Sequence, residues 1–270
     1  MIGRKLRIEY HLLDKCNLNC KACSHFCSLV EEEETKSLET ISKDFKRIHE
    51  LTNYGDNAYV EMITIMGGEP LIYPYVSEAM TIIRSLFKYV PITLLTNGIR
   101  LDKMNEDFWA SIIKNDITIE ISLYPINFNY TKIFNILNYR EVRWKTYTFM
   151  RDNKRLFDGK WLKNEHDPNY KELHYSCRWR LNCTHLVDGK LHLCAMIAYF
   201  KHFDKAFDGQ HNISVVESDS IDLDNINSWE ELQSERNKVP HFCGYCNGLD
   251  LNFEEWGITK KDINEWMNKS

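Results

Sequence analysis

The stretch Cys16-Asn17-Leu18-Asn19-Cys20-Lys21-Ala22-Cys23 decides how this chain is read: three cysteines at spacings of four and three, directly after an apolar, strand-like run over residues 6–13. Soft sulfur donors crowded on one short loop suit an iron–sulfur cluster or zinc. Three thiolates hold three corners of a cubane [4Fe–4S] cluster and leave one iron open to an outside ligand. Cys27, four residues further on, keeps a second reading in play, a four-thiolate zinc knuckle.

Working outward, Glu9 and His11 share one face of the strand over 6–13. Ile41, Phe45, Ile48 and Leu51 then recur at helical spacing. A second strand, 59–66, ends at Met66-Gly67-Gly68-Glu69-Pro70, and Val76, Met80, Ile83 and Phe87 form the next helix. A third strand, 92–96, ends at Asn97-Gly98, and residues 108–113 are the apolar part of a third helix. Residues 117–124 alternate cleanly. Ile117, Ile119, Ile121 and Leu123 pack under helices, while Thr118, Glu120, Ser122 and Tyr124 face the other way, a polar lining for a polar cofactor or substrate. A helix around Ile133, Ile136 and Leu137 and a fifth strand over 142–150 follow, with Arg151 and Asp152 at its end. Repeated strand–helix units call for parallel strands. Five or six units precede residue 160, too few for a closed eight-stranded barrel.

The cysteine loop, the Gly-Gly-Glu-Pro turn and the Asn97-Gly98 strand end, in this order, resemble the radical S-adenosylmethionine (radical SAM) enzymes. The resemblance implies an α/β fold, a partial (β/α)6 TIM-like barrel, with its chemistry at the C-terminal strand ends. It implies a [4Fe–4S] cluster on Cys16, Cys20 and Cys23 whose open iron chelates SAM, and reductive cleavage of SAM to a 5′-deoxyadenosyl radical. By the same resemblance Gly67, Gly68, Glu69 and Pro70 receive the SAM amino group, Asn97 marks the third strand end, and Ser122 lies near the ribose. Ala22 departs from the family, which commonly has an aromatic residue there; His25 and Phe26 are the nearest rings to take its place. Arg151 is a candidate for binding or deprotonating a substrate hydroxyl, with a surface ion pair as the plainer reading.

Residues 152–175 are charged and aromatic with no sustained period, a bridge between modules with a short helix around 160–164. Beyond them the remaining cysteines gather. Two strand-like runs flank Asp188-Gly189, a hairpin signal because both central positions favour positive φ, and Cys194 lies in the returning strand. Ser228 caps a helix through Trp229, Leu232 and Arg236, Cys243-Gly244-Tyr245-Cys246 is a metal-gripping knuckle, and Thr259 with Asp262 is spaced as a capping box for a last helix over 263–267. This arrangement resembles the twitch form of the SPASM extension of radical SAM proteins. The expected organisation is a barrel over 1–160, then a linker and a small α+β domain, hairpin plus helix, over 161–270. The resemblance implies a second [4Fe–4S] cluster closed by Cys177, Cys194, Cys243 and Cys246. Cys183 competes with Cys177, and zinc on the same four thiolates is the alternative.

Composition sets the remaining bounds. Of 270 residues 43% are hydrophobic and 27% charged, as in ordinary globular proteins. A net charge of −5 gives no electrostatic case for nucleic acid. No long uncharged apolar run spans a membrane and no signal-peptide core precedes the first strand, so the expected location is cytoplasmic, where nine cysteines point to metal more than to disulfides. The resemblance is strongest to twitch-type dehydrogenases of hydroxylated cyclitols. It implies oxidation of a secondary alcohol carbon of a polar small molecule, with the second cluster as electron acceptor and flavodoxin or ferredoxin as reductant. Alternatives are epimerisation with a hydrogen returned by Cys27 or Cys183, maturation of a ribosomally made peptide, and a non-catalytic zinc module.

Overall fold

Alternation in β1 (Leu6–His11) sends Leu6, Ile8 and Tyr10 into the core. They meet the apolar stripe of α1 (Leu38–Thr52), where the Tyr10 and Phe45 rings lie 4.8 Å apart. Glu9 and His11 take the opposite face. The structure is a computed structural model. It describes residues 4–267 apart from 33–34, 53–58, 149, 152–153, 160, 178, 181 and 249–251, and it leaves out the side chains at 150–151, 154–159 and 252–254.

Four more strands repeat the unit. β2 (Val60–Met66) leads to α2 (Val76–Leu86), β3 (Ile92–Thr96) to α3 (Glu106–Lys114), β4 (Ile117–Ser122) to α4 (Tyr130–Tyr139), and β5 (Trp144–Tyr147) ends the series. All five pair in parallel, β1·β2·β3·β4·β5. Their C-terminal ends, which carry the cysteine loop, the Gly67-Gly68 turn, Asn97 and Ser122, therefore share one rim. β4 alternates as expected: its isoleucines are buried, and Thr118, Glu120 and Ser122 are half-buried on the other face. Asn105 and Asn129 cap α3 and α4 through their side chains.

The fifth strand is shorter than its apolar run. Pairing with β4 covers Trp144 to Tyr147, and Met150 leaves for a separate three-stranded antiparallel sheet made of β6 (Met150–Arg151), β7 (Lys154–Gly159) and β11 (Asn252–Glu255). The stretch expected to be a bridge thus contains a strand, and also a helix, α5 (Tyr170–Ser176). No helix forms over 161–164: Leu162 instead bridges Cys246 and Met267. Tertiary pairing overrides local preference there, because the partners lie some 85 and 105 residues away.

The hairpin of β8 (Thr184–Val187) and β9 (Lys190–His192) turns on Asp188 and Gly189, both with positive φ. It joins the main sheet: β8 pairs in parallel with β1, and β10 (Ser220–Asp222) extends β9. The sheet order is β10-β9-β8-β1-β2-β3-β4-β5, so the sixth parallel strand comes from beyond residue 160 and lies on the far side of β1. Asp44 of α1 fixes the hairpin by accepting from Gly189 N at 2.8 Å and from Tyr10 Oη at 2.8 Å.

α6 (Ala195–Ala198), α7 (Phe200–Ala206) and α8 (Trp229–Arg236) complete the chain, with Ser228 capping α8 as its spacing requires. The last segment is a single 3-10 turn, Ile263–Glu265, and its cap is Asp262; Thr259 Oγ1 bonds the Glu265 carboxylate, so the capping box is not formed. Two apolar cores result. The larger lies between the sheet and α1 to α4 and takes in Leu186, Leu191, Leu223 and Leu232. The smaller packs Phe26, Leu29, Leu162, Tyr199, Phe200, Phe203, Phe242 and Trp266 beside the cysteine loop. Among the described residues no helix is long and apolar enough to cross a membrane.

Candidate active site

The cysteine loop is locked to the glycine turn backbone to backbone. Gly68 N donates to Leu13 O and Glu69 N to Lys15 O, each at 3.0 Å. A Cβ on Gly68 would lie 2.1 Å from Lys15 O, and one on Gly67, whose φ is +156°, 2.4 Å from Leu13 O. The glycines permit this close approach. Glu69 is buried, and its carboxylate accepts from Leu71 N at 3.0 Å, Thr96 Oγ1 at 2.6 Å and Asn97 N at 2.9 Å. Burial raises its pKa against those hydrogen bonds. Glu69 thus ties the end of β2 to the end of β3, with Pro70 beginning the next turn. Asn97 Nδ2 reaches Asn17 Oδ1 at 2.6 Å, inside the cysteine loop. Ser122 is half-buried at the last position of β4.

Cys16, Cys20 and Cys23 converge. Burial raises the Cys16 thiol pKa, and the nearby charges of Glu69, Cys20 and Cys23 push it further in the same direction. Cys16 Sγ accepts from Leu18 N at 3.4 Å and Cys20 Sγ from Trp256 Nε1 at 3.2 Å. The Cys23 sulfur is held below the ordinary thiol range by the Cys27 thiol, against burial, and by the backbone N–H groups of His25, Cys27 and Ser28. Three mutually repelling sulfurs, each supplied with N–H donors, fit the ligand set of a cluster. Cys27 is 7% exposed, and its thiol donates to His25 O at 3.6 Å and lies against the Cys23 sulfur.

A segment near the C-terminus covers this loop, an arrangement that sequence reasoning missed because residues 256–259 have no period. Lys21 N donates to Gly257 O at 2.8 Å, Thr259 N to Asn19 O at 2.9 Å, and Trp266 Nε1 to Cys23 O at 2.9 Å. The two rings offered in place of the aromatic absent at Ala22 are differently placed. Phe26 is fully buried against Phe200 and Phe203, and His25 is bonded to His11.

The wall formed by β1 and β8 is polar. His11 Nδ1 bonds Asp14 Oδ1 at 2.8 Å and His11 Nε2 bonds His25 Nδ1 at 2.8 Å; Asp14 Oδ2 accepts from His202 Nε2 at 2.8 Å. Burial pushes the Asp14 carboxyl up, but the two histidines hold it well below the usual carboxylate range. Burial pushes Glu9 up as well, and His185, His25 and the Cys183 thiol together outweigh it, bringing Glu9 down to about 2. The Tyr199 ring stacks on His11 at 3.8 Å. Glu9 and His11 were legible as a shared face. Cys183 and His185, spaced by two before a strong turn, carried the same signal and were not read as part of this wall. The Arg151 side chain lies outside the described residues.

The second thiol group also gathers. Cys177 follows α5, Cys194 precedes α6, and Cys243 and Cys246 belong to a 3-10 turn and its cap. Burial, then Cys246 and Cys177, push Cys194 up to about 12; burial, then Cys194, Cys246 and Cys177, push Cys243 up. Cys246 Sγ accepts from Gly248 N at 3.3 Å. Four thiols are the donor set of a closed cluster, and zinc accepts the same donors; no three of these four sulfurs lie within 4.8 Å of one another, wider than a zinc tetrahedron. Cys183, although near enough to Cys194 for their charges to repel, is hydrogen bonded to Glu9 and His185.

BtrN, solved in complex with AdoMet and 2-DOIA, has the same fold along nearly the whole length: TM-score 0.52, 14% identity, 93% of this chain and 96% of that one covered. SuiB from Streptococcus suis, bound to S-adenosylmethionine, matches over 55% of this chain and 36% of its own, with TM-score 0.43 and 18% identity. The GTP 3',8-cyclase of Microcystis aeruginosa (strain NIES-843 / IAM M-2473) is 30% identical over 129 residues, 46% of this chain. The match spans little more than a third of that relative, 36% of its length. The family model described as the Radical SAM superfamily matches residues 10–155, over half of the chain. The protein belongs to the Radical SAM superfamily, whose members imply a [4Fe–4S] cluster and SAM.

Proposed function

We propose that this protein is a radical SAM oxidoreductase that oxidises a secondary alcohol carbon of a polar, sugar- or cyclitol-like small molecule. Cys16, Cys20 and Cys23 hold the SAM-binding cluster, with Gly67, Gly68, Glu69, Pro70, Asn97 and Ser122 shaping the SAM site. Residues 161–270 act as linker and twitch region, with Cys177, Cys194, Cys243 and Cys246 as ligands of an auxiliary cluster. When bound, the two clusters and SAM supply a hydrogen-atom abstractor and an acceptor for the second electron, primed by a flavodoxin or ferredoxin.

The observation that carries the reading is the second thiol group. Four buried or half-buried sulfurs act electrostatically on one another in a region built onto the barrel's own sheet. Loss of a hydrogen atom, an electron and a proton turns the alcohol into a ketone. Arg151 at the end of β6 remains the sequence candidate for the substrate hydroxyl. The Asp14–His11–His25 hydrogen-bond chain offers a route for the proton within this wall. Likeness in fold to BtrN, whose crystals held AdoMet and 2-DOIA, favours a small polar substrate.

Epimerisation needs a thiol to return the hydrogen. Cys27 is engaged with Cys23, and Cys183 with Glu9 and His185, which favours oxidation over that alternative. Anaerobic turnover with SAM, a reductant and a panel of cyclitols and sugars, read by mass spectrometry, tests the proposal. The expected product is lighter than its substrate by two hydrogens and appears with 5′-deoxyadenosine. A product of unchanged mass contradicts it.

A further inference from the structure

Cys183, like Cys27, is a cysteine that neither cluster uses. It lies just before β8, whose register sets His185 directly beside Glu9 of β1 on the same face of the sheet. Glu9 Oε2 and His185 Nε2 are 3.1 Å apart, Cys183 Sγ and His185 Nε2 3.3 Å, and Cys183 Sγ and Glu9 Oε2 3.4 Å. Zinc binds N and O donors at about 2.0–2.2 Å and sulfur at about 2.3 Å, so tetrahedral ligand atoms stand about 3.3–3.7 Å apart. The three donors already form a triangle near that size. They come from three residue types that zinc accepts, and carboxylate plus thiolate supply the two negative charges that neutralise a divalent ion in a buried wall.

Two further observations point to a ligand here. The ring nitrogens of His11, His25 and His185 also gather within 4.8 Å of one another, which brings additional donors close to His185. The Tyr199 hydroxyl, on a residue 1% exposed, finds no hydrogen-bond partner among the described residues. The Tyr199 ring packs against His11, His25 and His185, and the charges of Asp14 and Cys27, then of Glu9 and Cys183, act on its hydroxyl. A buried hydroxyl without a partner is costly, and a water or ligand oxygen on the fourth position of an ion would give it one.

We propose that Glu9, Cys183 and His185 form a mononuclear zinc site in the wall between β1 and β8, separate from both cysteine groups. The site does not depend on the alcohol-oxidation reading. The test uses protein reconstituted anaerobically with iron and sulfide, so that the cluster cysteines are occupied. It is then loaded with zinc sulfate, gel-filtered and analysed for both metals. The expected result is about one zinc per chain, lost in Cys183→Ala and in His185→Ala with the iron count unchanged. Zinc absent from the loaded wild type, or retained by both variants, overturns the site. Loss of iron in folded Cys183→Ala also overturns it, by assigning that thiol to a cluster. X-ray absorption at the zinc edge of the wild type needs no variant: one sulfur with nitrogen and oxygen neighbours is expected, and a four-sulfur shell is the contrary result.

Discussion

Asp14 accepts hydrogen bonds from both His11 and His202, one on β1 and one on α7, and so joins the barrel to the helices beyond residue 160. Charged hydrogen bonds of this kind are each worth about 1.5–3 kcal/mol, and Asp14→Asn is expected to destabilise the fold by about 2–3 kcal/mol at pH 7. The folded pKa of Asp14 lies below its ordinary value of 3.8. Its contribution is therefore complete above that value and is lost as the pH falls below it. Urea melts at a series of pH values should show the gap between wild type and variant closing as the pH drops under about 4; a constant gap contradicts this. Trp256 points its indole N–H at the Cys20 sulfur at 3.2 Å. Hydrogen bonds to sulfur raise cluster potentials, so Trp256→Phe should shift the SAM-binding cluster to a more negative potential in an EPR-monitored redox titration. An unchanged potential would remove the indole from that role.

The cysteine loop and the Gly67-Gly68 turn form one unit, held by two backbone hydrogen bonds and by a gap too small for a methyl group. Gly68→Ala drives a Cβ into Lys15 O, a contact that only backbone movement relieves. That movement displaces the loop, and 5′-deoxyadenosine formation should fall by more than about tenfold, equivalent to 1.4 kcal/mol. Wild-type rates from this variant would contradict the coupling. The strand–helix series was legible in the sequence because each unit carries its own period: α1 through Ile41, Phe45 and Ile48, β4 through its isoleucines. Likewise the hairpin showed in Asp188-Gly189. The attachment of β8 to β1 was not legible. Ile8 pairs with Thr184 across more than 170 residues, and no local pattern records such a partner. The same holds for β7 with β11, and for the segment over 256–259 that pairs with the cysteine loop.

At the scale of the molecule, the region beyond residue 160 does more than hold four cysteines. It contributes three strands to the main sheet, apolar side chains to the larger core, and Trp266 beneath the cysteine loop. Trp266 is fully buried, and Trp266→Ala should cost about 3–5 kcal/mol and weaken retention of the loop's cluster, as followed by thermal melts and iron analysis. The main cysteine motif could be recognised at once because its chemistry is local. The resemblance already favours Cys177 over Cys183, and the fold adds a physical reason that no local pattern records: Cys183 is set against Glu9 and His185, while Cys177 lies in the electrostatic range of Cys194 and Cys243. The central claim is that these four C-terminal thiols hold an auxiliary cluster of their own. The most direct measurement is the iron and sulfide content of the Cys16→Ala, Cys20→Ala, Cys23→Ala triple variant, reconstituted without oxygen. The account predicts about four irons per chain. A count near zero, with the wild type holding a single cluster, would contradict it and return the C-terminal thiols to zinc or to structure.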